Sequence, residues 1–225
     1  MSLLEKPSIY NAQSVYNQGG GEKSVNAGKS YLISASGVVI VSPQSMKSER
    51  FANQNIGNVH FGVCPNYTND LSIDTMSIDD VVEINAVEKI HYAQTGWHYG
   101  ITRSGLYNTQ NTTRYYFGAH GYSSKAVFYA WGGERGGQFD FIFDREFIAN
   151  IKFKKIDTDK LHLTCKYNNS IKFDADITIN SAILTESILP AFGSVGQPNE
   201  GLDYHSELLP GSYVKINDDV LFGEE

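Results

Sequence analysis

QFDFIFDREFIANIKFKKIDTDKLHLTCKYNNSIKFDADITI, residues 138–179, is the stretch on which the fold turns. Apolar and polar residues alternate along it with a period of two. Phe139, Phe141 and Phe143 share one face, and Ile151 and Phe153 do the same. Ile171, Phe173, Ala175, Ile177 and Ile179 alternate with Lys172, Asp174, Asp176 and Thr178. A strand turns successive side chains to opposite sides, so the pattern gives each strand one apolar face. Asp157-Thr158-Asp159-Lys160 and Asn168-Asn169-Ser170 supply turn residues between the runs. The stretch therefore predicts four consecutive antiparallel strands in a meander. Burying each large apolar side chain stabilises by roughly 1.5–3 kcal/mol. That gain is realised only if a second sheet covers the apolar face. The expected fold class is all-β: an antiparallel β-sandwich or jelly roll with an extended N-terminal arm and at most one short helix.

Working outward, SYLISASGVVIVSP (residues 30–43) holds two short apolar runs around Ala35-Ser36-Gly37, a predicted hairpin closed by Pro43. A further strand is predicted at Val59 to Val63 and another at Ser212 to Ile216. Residues 77–90, SIDDVVEINAVEKI, fit two templates. Ile78, Val81, Val82, Ala86 and Ile90 fall on roughly one helical face behind Ser77 as cap, while the β-branched content argues equally for a strand. Residues 91–131 alternate aromatic and polar positions between Gly and Asn-Thr runs, as strands joined by polar loops do. Met1 to Gly28 lacks sustained periodicity and cannot bury a core of its own. Its Leu3, Leu4, Ile9, Tyr10, Val15 and Tyr16 are spaced like anchors in an extended peptide, ahead of a joint at Gly19-Gly20-Gly21. The expected organisation is an anchoring arm at 1–28 and one sandwich domain at 29–225.

Eighteen Lys and Arg against twenty-five Asp and Glu give a net charge of -7, which opposes capture of nucleic acid. No secretory leader is expected at Met1 to Tyr10, and no stretch approaches the ~18 apolar residues of a membrane-spanning helix. Cys64 and Cys165 are too few for a disulfide framework and are expected as free, buried thiols.

The chemical motifs are weak. Gly28-Lys29-Ser30 imitates the end of a phosphate loop, but Lys23 stands where that loop requires glycine. Gly193-Ser194-Val195-Gly196 lacks nucleophile-elbow spacing. The six histidines show no ligand-pair spacing. Asp70, Asp74, Asp79 and Asp80 lack the alternating order of a calcium loop. Neither a metal nor a cofactor is expected. Asp140, Asp144 and Glu146 would form an acidic row opposite the phenylalanines, the arrangement a glycoside hydrolase would need, although a solvated outer face accounts for it more simply. Trp97, Tyr99, Tyr115, Tyr116 and Trp131 lie in Gly-rich and Asn-Thr-rich segments, where aromatic faces beside amides can stack on sugar rings.

The arm Ser8-Ile9-Tyr10-Asn11-Ala12-Gln13-Ser14-Val15-Tyr16, the Gly19–Gly21 joint and the Asn-, Ser-, Thr- and Gly-rich β domain together resemble a bacteriophage virion appendage of the head-fibre or tail-fibre type. That resemblance implies a noncatalytic structural protein in the virion. Its arm would dock on capsid or tail proteins, and its head would be a dimer or trimer touching host surface glycans. A lectin-like carbohydrate-binding module and a glycoside hydrolase are the alternative expectations.

Overall fold

The computed structural model describes residues 12–18, 23–25, 31–33, 38–41, 59–65, 71–91, 101–108, 113–120, 125–130, 133–140, 142, 144–186, 188–196 and 205–223. Within these, side chains are described at 38, 63, 71–90, 104–106, 125–130, 136–140, 142, 144–186, 188, 190–192 and 207–223. Two antiparallel sheets face each other. The first contains β1 (Ala12–Gln18), β2 (Lys23–Val25), β5 (Val59–Pro65), β7 (Ile101–Asn108), β8 (Thr113–His120), β9 (Lys125–Ala130), β10 (Gly133–Asp140) and β14 (Ile188–Gly196). Its eight strands run in the order β10-β9-β8-β7-β14-β5-β1-β2. The second contains β3 (Tyr31–Ile33), β4 (Val39–Val41), β6 (Val81–His91), β11 (Glu146–Asp157), β12 (Lys160–Tyr167), β13 (Ser170–Thr178) and β15 (His205–Leu208). They run in the order β13-β12-β11-β6-β15-β4-β3, and β16 (Tyr213–Ile216) with β17 (Asp219–Gly223) completes the nine-stranded sheet beside β6. The chain is thus a β-sandwich of jelly-roll type, and the expected fold class holds. Among the described residues the helical content is one 3-10 turn at Ser181–Ile183, capped by the Asn180 side chain.

The core follows from alternation. Val82, Ile84, Ala86 and Ile90 of β6, Phe147, Ala149, Ile151 and Phe153 of β11, and Leu161, Leu163 and Cys165 of β12 all point inward. Val63, Leu106, Ala126, Phe128, Ala130, Ile188 and Phe192 meet them from the eight-stranded sheet. Rings carry the contact across: Phe139 and Tyr167 lie 4.7 Å apart between centroids and Phe192 and Phe222 5.2 Å, while Phe128 supports Phe139 within its own sheet at 5.8 Å. The segment 71–80 adds Leu71, Ile73 and Met76 to the same core, as the 3-10 turn adds Ile183. It is tied by the Asp74 N–H to Leu184 O at 3.0 Å and by the buried Lys155 ammonium, which donates to the Ile73 carbonyl.

The hairpins β11–β12 and β12–β13 form as the sequence predicts, and Asn168 and Asn169 take positive φ values of 47° and 64° in the second turn. The first of the four expected strands departs from the meander. β10 ends at Asp140 and belongs to the other sheet; Phe139 alone of the three phenylalanines is described, and it packs against the core. Ile171, expected inward, is 58% exposed. A bulge explains it: Cys165 pairs with Phe173 and Lys166 with Ile171, so Lys172 is an extra residue and alternation flips beyond it.

Residues 81–91 are a strand, so the helical reading of 77–90 is not realised, and Ile78 of the supposed helical face is 60% exposed. Packing between two sheets favours β-branched Val and Ile on a period of two. β3 pairs with β4 as the predicted hairpin. The stretch expected as an arm enters the chain's own sheet. Val15 pairs with Gly62 and Val25, and Tyr16 pairs with Phe61 and Ser24. Leu3, Leu4, Ile9 and Tyr10 lie outside the described residues. Cys165 is free and buried, and burial, with Asp174 adding to it, pushes its thiol far above the usual range.

Candidate functional site

The outward positions of the eight-stranded sheet follow from its register, because residues paired across antiparallel strands share a face. Phe128 and Leu106 are core residues. Phe128 pairs with Phe117, which pairs with Ser104, and Leu106 pairs with Tyr115. These positions therefore belong to the core side. Arg103, Gly105 and Tyr107 of β7 and Tyr116, Gly118 and His120 of β8 fall on the opposite face. So do His60, Gly62 and Cys64 of β5, Ala191, Gly193 and Val195 of β14, and Lys125, Val127 and Tyr129 of β9.

The central row of this face is unusual. Val127 pairs with Gly118, Gly118 with Arg103, Gly193 with Gly62, and Gly62 with Val15. Pairing of Ala191 with Gly105 and of Val195 with Ile101 sets Gly193 opposite Arg103. Arg103 thus stands in a row with glycine on both neighbouring strands and a third glycine one strand further, across roughly 14 Å at normal strand spacing. Glycine inside a strand weakens it and marks a place where something approaches the backbone closely. Val127 and Ala191 are 1% and 0% exposed without belonging to the core cluster, so other parts of the chain cover this face there.

Around the floor, Tyr116 sits beside Gly105 and Tyr129, and His120 beside Ile101 and Lys125. His60 is beside Val195 and Asn17. Arginine recognises carboxylates and other planar oxyanions through its fork of donors. Histidine and tyrosine can accept and donate protons near neutral pH when suitably placed. Toward the β10 edge the Lys125 ammonium bonds Asp140 at 2.5 Å.

Of the expected sugar-stacking residues, Tyr115 and Tyr116 are adjacent on β8 and fall on opposite faces, so Tyr116 alone shares the face of Arg103. Trp97, Tyr99 and Trp131 lie outside the described residues. The acidic row is dispersed. Asp140 ends β10 in one sheet, Asp144 occupies a turn at φ 59°, and Glu146 opens β11 in the other sheet. Asp74 accepts from the Ser72 hydroxyl, Asp79 from Lys154 at 2.7 Å, and Asp80 from Asn217 at 3.0 Å.

The outward face of the nine-stranded sheet is polar but largely spent on itself. Glu83 accepts from Asn150 and from the Tyr213 hydroxyl, each at 2.9 Å. Partial burial raises its pKa, and these bonds with the nearby Lys152 and Lys215 outweigh that and leave it below the usual carboxylate value. His162 is held from both sides, Nδ1 to Asp176 at 2.8 Å and Nε2 to Asp174 at 3.0 Å, while Thr164 donates to Asp174 at 2.8 Å.

From the sequence, His60 and His120 were weighed only as metal ligands, and Arg103 and the glycine row were not marked as a site. The legible signal was Gly62, Gly105, Gly118 and Gly193, each inside a strand-like run where glycine is out of place.

Solved structures similar to the chain include an alginate lyase from Corynebacterium sp., at 8% identity and a TM-score of 0.54, covering 93% of this chain and 94% of that one. A second alginate lyase, from Pseudomonas aeruginosa, matches at 10% identity and 0.52, covering 93% and 99%. The carbohydrate recognition domain of Emp46p matches at 12% identity and 0.50, covering 91% and 89%. No family model and no curated protein matches the chain. At these identities the likeness is one of fold. It corrects one expectation: catalysis was set aside for this all-β chain, yet enzymes stand among the proteins that share its fold.

Proposed function

We propose that the protein binds a carbohydrate chain across the outward face of the eight-stranded sheet. Arg103, Tyr116, His120 and His60 supply the polar and stacking contacts, and Gly62, Gly118 and Gly193 place no side chain between them. The observation that carries this reading is the glycine-flanked position of Arg103 on a face away from the core. Solved structures sharing the fold, two alginate lyases and a carbohydrate recognition domain, point the same way. Isothermal titration against a panel of uronate-containing and neutral polysaccharides tests it, with Arg103→Ala and Tyr116→Ala beside the wild type. Binding reduced at least tenfold in both variants, with unchanged melting, is the expected result; wild-type affinity in both would remove the site.

One observation favours a second reading, polysaccharide cleavage by elimination. Arg103 shares its face with Tyr116 and His120, giving a cation for a uronate carboxylate and two groups able to move protons. Formation of an unsaturated uronate end, followed by ultraviolet absorbance with alginate and other polyuronates, tests it. Loss of that signal in His120→Ala and Tyr116→Phe would assign the proton transfers.

The virion setting suggested by the N-terminal layout, with virion proteins as partners and a dimeric or trimeric head, is a separate proposal about where the protein works. Mass spectrometry of purified particles and light scattering of the isolated protein test its two parts.

A further inference from the structure

We propose that Glu88 is a proton-gated pin between the two sheets: β6 and β7 keep their observed spacing only while its carboxyl carries a proton. Glu88 lies on the inward side of β6, in line with Val82, Ile84, Ala86 and Ile90, and is 2% exposed. Its Oε1 accepts from the Ser104 hydroxyl of β7 at 2.6 Å, a bond that spans the sandwich. Its Oε2 is buried with no hydrogen-bond partner among the described residues.

Among the described residues no counter-charge faces it. Across β6, Glu88 pairs with Phe147 of β11 and Leu208 of β15, both core residues. Facing it, β7 contributes Ser104 and Leu106, and Ser104 pairs with Phe117 of β8. The titratable residues nearest Glu88 along these strands, Lys89, His91, Arg103, Glu146, His205 and Glu207, fall at positions of the opposite face by register. Asp144 and Arg145 sit exposed in the turn beyond Ile90. Lys155, the other buried charge, is at the far end of β11 and donates to Ile73 O.

A carboxylate in such a place must be rehydrated, because one hydroxyl does not replace its water shell. Burial accordingly pushes the Glu88 carboxyl up to about 8, with the Ser104 bond pulling the other way. The unfolded chain ionises near the ordinary value of 4.5. The stability held by the proton is therefore complete below that value, declines as pH rises between the two values, and is gone above the folded one. Because β7 also carries Arg103 on its other face, deprotonation loosens the strand at the centre of the proposed binding face; this last consequence rests on the proposed function.

Urea unfolding of the full chain, wild type against Glu88→Gln, from pH about 5 to about 9 tests the pin. Glutamine keeps the shape and neutrality of the protonated acid. Relative to Glu88→Gln, the wild-type folding constant should fall about tenfold per pH unit up to about pH 8 and then run parallel. Curves parallel throughout would overturn the proposal. Carbon-13 titration of glutamate side-chain carboxyls in the wild type decides the matter if the variant does not fold. One carboxyl still protonated above about pH 7 supports the pin, and all titrating below about pH 6 overturns it. Neither measurement involves a carbohydrate, so failure to bind any glycan leaves this test intact.

Discussion

An ideal Cβ placed on Gly136 would fall 2.0 Å from the carbonyl oxygen of Lys172, so the backbones of β10 and β13 touch where the edges of the two sheets meet. β10 makes this approach by bulging between Arg135 and Phe139, with Gly136 and Gly137 both at φ +70°. The Lys172 ammonium then lies 5.1 Å from the Phe139 ring centroid, sealing that side of the sandwich.

Gly136→Ala and Gly137→Ala separate the two demands made on this bulge. Alanine at Gly137 meets nothing within 4 Å and bears only the cost of positive φ, about 1–2 kcal/mol. Alanine at Gly136 must also displace the β13 backbone, and we expect a loss of more than about 3 kcal/mol. Urea denaturation of the two variants measures the gap; equal losses would show that the edge contact is dispensable.

Removing residues 1–21 tests the role of the N-terminal segment. A detachable arm would leave the head untouched. In the structure β1 pairs with β5 along seven consecutive positions, so its loss strips β5 to a bare edge. We expect lowered melting and concentration-dependent association, read by calorimetry and light scattering. An unchanged melting temperature would restore the detachable arm.

Ser212 sits in the short connection between β15 and β16, both of which pair with β6. Its hydroxyl accepts the Val87 N–H at 3.0 Å and donates to the Val87 carbonyl at 3.2 Å. Ser212→Ala strands a buried N–H, at a cost of about 1–3 kcal/mol. Ser212→Thr, which keeps the hydroxyl, should recover part of it. Faster amide exchange at Val87 in the alanine variant is the local sign.

His162 gives a pH dependence of known sign. Its bond to Asp176 raises its pKa, modest burial lowers it, and Asp174 raises it again, leaving it above 6.5. A raised folded value means the bridged imidazolium stabilises fully below the unfolded pKa and that this support is lost as pH rises through the folded value. The denaturation midpoints of wild type and His162→Gln should therefore differ most below pH ~6 and converge toward pH ~8. A gap that persists unchanged at alkaline pH would mean the ring acts by packing instead.

The sandwich was legible wherever one face of a strand is dry and the other wet, as in β11 and β12, with Ile151 and Phe153 against Lys152 and Lys154. It was less legible where a bulge resets alternation, since nothing in Ser170-Ile171-Lys172 announces the flip that exposes Ile171. Which sheet a strand joins was not legible either. The turn after Asp140 looks like any hairpin turn, yet β10 and β11 lie in different sheets. The candidate site was hidden for a third reason. β8 carries Tyr115 and Phe117 on one register face and Tyr116 and His120 on the other, so composition could not assign a side. Only pairing with Leu106 and Phe128 on the neighbouring strands sorts them.

β6 lies between β11 on one side and β15 followed by β16 on the other. During synthesis that second side stays unpartnered until residues 205–216 have left the ribosome, although β6 itself is complete by residue 91. The nine-stranded sheet is therefore finished only by strands made long after β6, which waits for that second side across more than a hundred residues of chain. Loop closure over such sequence distances is slow, and until it happens β6 presents a row of unpaired backbone groups on that side.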